Sequence, residues 1–297
     1  MNARERGFLL LTSQLGNPER KPLSPAQLRS LTQAVSQGPR FLDDRDLEPK
    51  DLQVLGYSPE MALRITALLQ EEDLLDHYLT RAKKAGCTPI TRVTPGYPAL
   101  LRRRLGTEAP GCLWAKGDLS ILEMPAVSLV GSRDLNTENR AFAKVAGYQA
   151  AAQGFALVSG NARGADREAQ NACLEAGGCV ISIVADELER QTPVDRVLYL
   201  SEDVFDGAFT VQRALRRNNS IHALGQAVLV AQATLQKGGT WDGTSKNLRF
   251  GWSPVFCFDD GSDASTVLTQ MGAELIGMDA LADLSSLFKQ TQTFFDF

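Results

Sequence analysis

Two glycine-bearing turns, each directly after a short apolar run, carry the residue types best suited to holding phosphate. The first follows Ala126–Val130 and reads Gly131, Ser132, Arg133. The second follows Phe155–Val158 and reads Ser159, Gly160, Asn161, Ala162, Arg163, Gly164, Ala165, Asp166. Backbone N–H groups at such a turn, together with the N-terminus of a following helix, make a ready anion site. Each turn adds a guanidinium, so a groove for more than one phosphate is expected. A third group lies at 209–225. If that stretch is helical, Arg213, Arg216 and Arg217 share a face at i, i+3 and i+4, with Asn218, Asn219 and Ser220 beside them. A charge run is usually a solvated face, but no acidic residue between 207 and 225 balances these arginines. Guanidinium and amide groups together suit phosphate and base contacts.

The elements that must position these residues are legible in outline. Apolar runs at 126–130, 155–158, 179–184, 227–233 and 254–258 have the length of buried strands. Asn139–Gln153 suits a crossover helix, and Ala165–Ala176 a second one ended by Gly177-Gly178. Near-continuous apolar strands separated by helices predict a Rossmann-like parallel sheet with helices on both faces. Ligands of such sheets sit outside the carboxyl ends of the strands, where both turns fall. Residues 1–90 read as a small helical N-terminal domain. Ser24 and Gln27 form a capping box, with Leu28, Leu31 and Val35 at helical spacing behind it. Helical patterns follow at 52–56, 61–69 and 76–86. The turn at Leu55-Gly56 between two helices fits a nucleic-acid-binding bundle, and equally a packing or dimerisation appendage. Residues 90–125 connect, the main domain is expected to span 91–265, and 266–297 reads as a strand–helix extension and tail.

Composition removes other classes. The chain of 297 residues is 43% hydrophobic, enough for a sizeable core. No apolar stretch approaches a membrane span, and residues 8–12 are too short for a signal peptide. Five scattered cysteines without a CxxC pair predict reduced thiols in the cytoplasm. With only His77 and His222 available, zinc sites and histidine catalysis are not expected. The turns lack the GxGxxG dinucleotide spacing and the GxxxxGK[ST] phosphate loop, so no cofactor is expected. The net charge of −4 means that a polyanion site must be a local patch.

The combination of motifs resembles the DNA-processing protein A family, also called DprA or Smf. Its hallmarks appear in order as Val130-Gly131-Ser132-Arg133, Ser159–Asp166, Gly177-Gly178 and Arg217-Asn218-Asn219-Ser220-Ile221. Upstream, Tyr97–Leu101 and Leu113–Gly117 look like the family's leading segment, so the resemblance covers 90–260. It implies an extended Rossmann domain that binds single-stranded DNA, assists loading of the RecA recombinase, forms a homodimer and performs no chemistry. By position it assigns Ser132, Arg133, Ser159, Gly160, Arg163, Gly164 and Asn218 to the DNA groove. Gly131, Asn161, Arg213, Arg216, Arg217 and Lys237 complete the candidate set. Asp166 reads as a cap, or as an orienter of Arg163.

The family commonly has His at Gln170, Glu at Gln232 and Arg at Asn219, and its Ser-Gly-rich loop stands here as Lys237–Gly243. No winged-helix pattern follows residue 262. Two other classes stay open on the residues alone. One is a sensor of free nucleotides. The other is a phosphoribohydrolase-like enzyme, echoed by Gly238–Thr244 but without the glutamate that assists glycosidic cleavage, Asp242 being its weak substitute. Among aromatics, Trp241 is the expected base-stacking residue, whereas Trp114 and Trp252 read as core or seam residues.

Overall fold

The structure is a computed structural model and describes residues 1–38 and 47–292. The frayed end expected at the C-terminus falls partly on 293–297, outside the described residues. The chain opens with five helices: α1 (Ala3–Thr12), α2 (Pro25–Gln37), α3 (Pro49–Val54), α4 (Pro59–Leu69) and α5 (Glu72–Lys84). The expected capping box is present, with the Ser24 hydroxyl accepting from the Gln27 N–H and the Gln27 side chain accepting from the Ser24 N–H. Of the three apolar positions behind it, Leu31 is buried while Val35 is 39% exposed. Leu31, Leu52, Ala62 and Ile65 close a small core of their own.

The remainder runs β1 (Thr88–Thr91), α6 (Ala99–Leu105), β2 (Cys112–Lys116), β3 (Ala126–Val130), α7 (Thr137–Ala152), β4 (Ala156–Ser159), α8 (Ala165–Glu175) and β5 (Val180–Val184). It continues through β6 (Val197–Glu202), α9 (Val211–Leu224), β7 (Val228–Val230), α10 (Gly238–Phe250) and β8 (Val255–Phe258). It ends with α11 (Asp263–Gln270), β9 (Glu274–Ile276) and α12 (Leu284–Gln292). The described strands form one sheet in the order β1-β2-β6-β5-β4-β3-β7-β8-β9. All neighbours are parallel except β1–β2 and β2–β6.

Strand alternation divides the core. On β3, Val127 and Leu129 face α7, α8 and α12, while Ala126 and Val130 join the opposite cluster with α6, α9 and α11. Gly147 lets α7 and α8 cross closely, because a Cβ there would lie 2.1 Å from the Ala169 carbonyl oxygen. Gly177 ends α8 as expected. Its φ is +85°, its N–H donates to Leu174 O, and the Gly178 N–H donates to Cys173 O.

Two expectations need correction. Residues 90–125 are not merely connecting, since they supply β2 and the end of β1, the antiparallel margin of the sheet. The strand β6 went unread, although all six of its residues are buried. The strand and helix expected over 266–297 are β9 and α12, with α11 ahead of them, and β9 forms an edge of the sheet. The helical layer also shares the main core. Tyr78 of α5 packs against Trp114 and Phe205, with ring centroids 5.5 and 4.8 Å away, and donates its hydroxyl proton to Asp206 Oδ1 at 3.0 Å. All five cysteines are free, four of them buried. Among the described residues no helix is long and apolar enough to cross a membrane.

Candidate nucleic-acid interface

The chain leaves β3 for β4, β5 and β6 on one side, then returns through α9 to β7 on the other side of β3. The carboxyl ends of β3 and β7 therefore bound the crevice where ligands of such sheets bind. The first turn lies there, held by the Ser132 N–H donating to Gln232 O at 2.9 Å. Gln232 also receives the Asn136 N–H on Oε1 (3.1 Å) and donates from Nε2 to Asp134 O (3.3 Å). An amide can do both, whereas the family's glutamate at this position, once ionised, could only accept.

The two turns interlock. Gly164, at φ +88°, sits so close to the first turn that a Cβ would lie 2.4 Å from Ser132 O, and the Ala165 N–H donates to that same oxygen at 3.1 Å. Gly131 has Ala165 2.5 Å from where its own Cβ would be. Two amides of the second turn are directed inward instead of to a ligand. Those of Gly160 and Ala162 both donate to Asp166 Oδ2, at 3.1 Å each. Asp166 is thus the turn's internal acceptor, and it does not orient Arg163. That side chain pairs instead with Asp134 at 2.8 Å, both groups being largely exposed. Burial raises the Asp166 pKa from its ordinary value, against the pull of Arg217 and the two amides.

The arginines of α9 do not act as one face. Arg213 donates to Ala185 O and Ser201 Oγ, both at 3.1 Å. Arg216 pairs with Asp203 at 2.9 Å and Glu202 at 3.8 Å, so the end of β6 supplies the balancing acids missing from the local sequence. Arg217 alone turns inward. It is 8% exposed and lies over Gly160, where any Cβ would collide with its guanidinium, and its Nε is buried without a hydrogen-bond partner. Arg104 of α6 fixes the far end of α9, donating to Ala223 O at 3.0 Å, to Gln226 O at 3.1 Å and to Gly225 O. A cation at a helix C-terminus is the favourable placement.

These constraints leave a pocket of about 470 Å³ at the crevice. Gly131, Ser132, Arg133, Arg217, Asn218 and Lys237 line it, so six of the thirteen candidate residues meet there. Gly160 and Gly164 are not on its wall but pack against residues that are, Gly160 against the Arg217 guanidinium and Gly164 against Ser132. Ser159 is fully buried, accepting from Gln170 Nε2 at 2.5 Å. Asn161 (φ +60°), Arg163, Arg213 and Arg216 lie outside its wall. The stretch expected as a loop at 237–243 is instead the start of α10. That helix has no side-chain cap at Lys237, and its first residues Gly238, Gly239 and Thr240 face the pocket. Asn218 ties the two helices by donating to Gly239 O at 3.1 Å. An uncapped helix start, two arginines and a lysine around one cavity favour a phosphate.

Sequence reading missed the apolar side, formed by Phe209, Val211 and Leu215, with Phe209 52% and Val211 69% exposed. An aromatic just ahead of the arginine-bearing helix was the available signal. Trp241 is not at the mouth, since it is partly buried against the core. Trp114 is core as expected, and Trp252 is partly buried and stacks on Phe250 at 5.7 Å. Asp242 pairs with Lys246 at 2.8 Å and is not on the pocket wall.

Fold and site define a doubly wound α/β protein with a pocket lined by two arginines and a lysine at its topological switch point. Residues 88–286 match the model of the DNA recombination-mediator protein A family, and the chain belongs to that family. DNA processing protein DprA of Streptococcus pneumoniae is 31% identical over 192 residues, which are 59% of this chain and 67% of that protein. Protein Smf of Escherichia coli is 29% identical over 144 residues, 44% of this chain and 38% of Smf. The X-ray structure of the S. pneumoniae protein superimposes with a TM-score of 0.65 at 23% identity, covering 88% of this chain and 98% of that one. DNA processing protein A of Helicobacter pylori, whose structure concerns its single-stranded DNA binding mode, gives 0.55 at 21% identity over 70% and 96%.

Proposed function

We propose that this chain binds single-stranded DNA and serves as a recombination mediator without chemistry of its own. The observation that carries the reading is Arg217, a buried guanidinium with an unpartnered Nε on the wall of a pocket that also holds Arg133, Lys237 and the start of α10. A desolvated cation of this kind favours an anionic ligand over water. Membership of the mediator family and the H. pylori relative's binding of single strands support DNA as that ligand. Phe209 and Val211 offer bases an apolar surface beside the phosphate. Catalysis has no support in the pocket. Asp166, the carboxylate on its wall, is buried and already accepts two backbone amides. RecA as partner, a homodimer and a cytoplasmic setting complete the proposal.

The test is binding of a labelled single strand of roughly 25 nucleotides and of the matched duplex across a salt series, several phosphates giving a steep salt dependence. A salt-sensitive preference for the single strand supports the reading. Binding of neither, with a free nucleotide bound instead, replaces it by the sensor.

A further inference from the structure

The carboxyl edge of the sheet does not end at the crevice. Because β2 runs antiparallel to β6 and β1 antiparallel to β2, the start of β2 and the end of β1 lie on the same edge as the carboxyl ends of β3 to β6. Three depressions follow one another along it. The phosphate pocket shares Arg217 with a small cleft over β5 and β6, and that cleft shares Arg216 and Asp203 with a groove of about 820 Å³. The groove lies between α2 and the margin of the sheet.

Its floor is apolar, with Phe8, Leu28 and Val93, and its charged groups are Arg29, Arg92, Arg102 and Arg216 against Glu108 and Asp203. Asp203 is neutralised by Arg216 at 2.9 Å, and its Oδ1 accepts the Gly111 N–H at 3.2 Å. Arg92 donates to the carbonyls of Gly106 (2.8 Å) and Ala109 (3.4 Å), while Arg102 donates to Arg92 O (2.6 Å) and lies over the Tyr97 ring. Among the described residues, Arg29, Arg92 and Arg102 form no ion pair with a carboxylate, and with Glu108 the remaining acid on the wall the groove keeps a net positive charge.

We propose that this groove is a second subsite for the same single strand, the phosphates passing from the switch-point pocket along the sheet edge to Arg29, Arg92 and Arg102. The inference rests on the DNA-binding reading above. From β3 to β2 is four strand spacings, roughly 19 Å, a gap that a few extended nucleotides bridge. The cleft between the subsites is not a barrier. Glu202 there receives the Ser220 hydroxyl and sits beside Arg216, so no bare carboxylate meets the backbone.

The experiment compares oligothymidylates of roughly 5 and roughly 15 nucleotides, bracketing common single-strand site sizes, on the full chain and on its Arg29→Glu and Arg102→Gln variants. The longer strand is expected to bind at least about tenfold more tightly, because the second contact becomes intramolecular. Its log–log salt slope is expected to be steeper by about 0.7 for each added phosphate contact. Both variants should lose most of that gain while binding the short strand as the parent does. Arg29 is an exposed residue of α2 with no ion pair among the described residues, so its variant reads the groove even if the Tyr97 stacking makes Arg102→Gln unstable. Equal affinity for the two lengths overturns the second subsite. So does a gain that survives Arg29→Glu in the folded variant, which would leave the groove to an acidic segment of a protein partner. Failure of both strands to bind overturns the DNA reading itself.

Discussion

Arg133 and Arg163 are the arginines of the two turns, yet their surroundings differ. Arg133 lines the pocket, whereas Arg163 is exposed and spends its charge on Asp134. Arg133→Glu and Lys237→Glu are each expected to weaken single-strand binding at least about tenfold, the scale of losing one charge-assisted phosphate contact. Arg163→Glu, at a side chain paired with Asp134 outside the pocket wall, is expected to cost less. Anisotropy titrations at one salt concentration decide the order, and a larger loss at Arg163 would relocate the groove to the outer face of the second turn. His222 makes a separate prediction. Burial pushes its pKa down to about 3, whereas in the unfolded chain it titrates near about 6.5. Its contribution to stability is therefore complete above about pH 6.5 and is lost as pH falls towards the folded value. Between pH 6.5 and 5 the loss should approach about 1.4 kcal/mol per pH unit. Urea denaturation of the parent and of His222→Gln checks it. The variant should show a flatter profile, and an equally steep one would assign the loss to other groups.

At the scale of elements, the site depends on how closely neighbouring backbones approach. The first turn sits on the start of α8 because position 164 has no Cβ, and α9 meets the start of α10 through Asn218 and Gly239. Gly164→Ala combines a forbidden φ with two carbonyl oxygens inside contact distance, and should cost on the order of 3 kcal/mol. Gly251 is the control. It too has a positive φ (+63°), but a Cβ added there would meet nothing within 4 Å, so Gly251→Ala should cost only about 1 kcal/mol. Equal shifts in the urea midpoints would show that backbone conformation, not the interlock of the turns, sets the requirement. The glycine-rich start of α10 shows where local signals mislead. Gly238-Gly239-Thr240 reads as a loop by propensity, and helix packing against α9 overrides that preference.

At the scale of the whole molecule, the helical layer is joined to the sheet through one aromatic cluster. Trp114 and Phe205 lie 4.9 Å apart by centroid, and Tyr78 with Leu75, Leu9 and Leu10 belongs to the same core. Removing residues 1–86 would expose fully buried aromatic surface, so the truncated chain should aggregate or unfold at least about 10 °C lower, a loss of several kcal/mol. A monodisperse truncated chain with unchanged melting would instead make the helical layer an independent domain, as the boundary near residue 90 first suggested. The same layer forms one wall of the second groove, so its attachment bears on how far along the sheet edge a strand can be followed.

The sequence by itself determined the parallel core of the sheet, because fully buried strands carry unbroken apolar runs, and it determined the turns, because glycine and arginine there have few other uses. It also determined the family, since the order of four short motifs is specific even where each alone is weak. Only the tertiary structure decided which arginines line the pocket. Arg216 is balanced by the acids at the end of β6 and Arg213 is held away from the pocket by Ala185 O and Ser201 Oγ, all distant in sequence, while Arg217, one residue beyond Arg216, lines the pocket with no hydrogen-bond partner for its Nε. Helical spacing fixes the direction of a side chain from its own helix. The groups waiting there come from other elements, and they decide whether its charge remains for DNA.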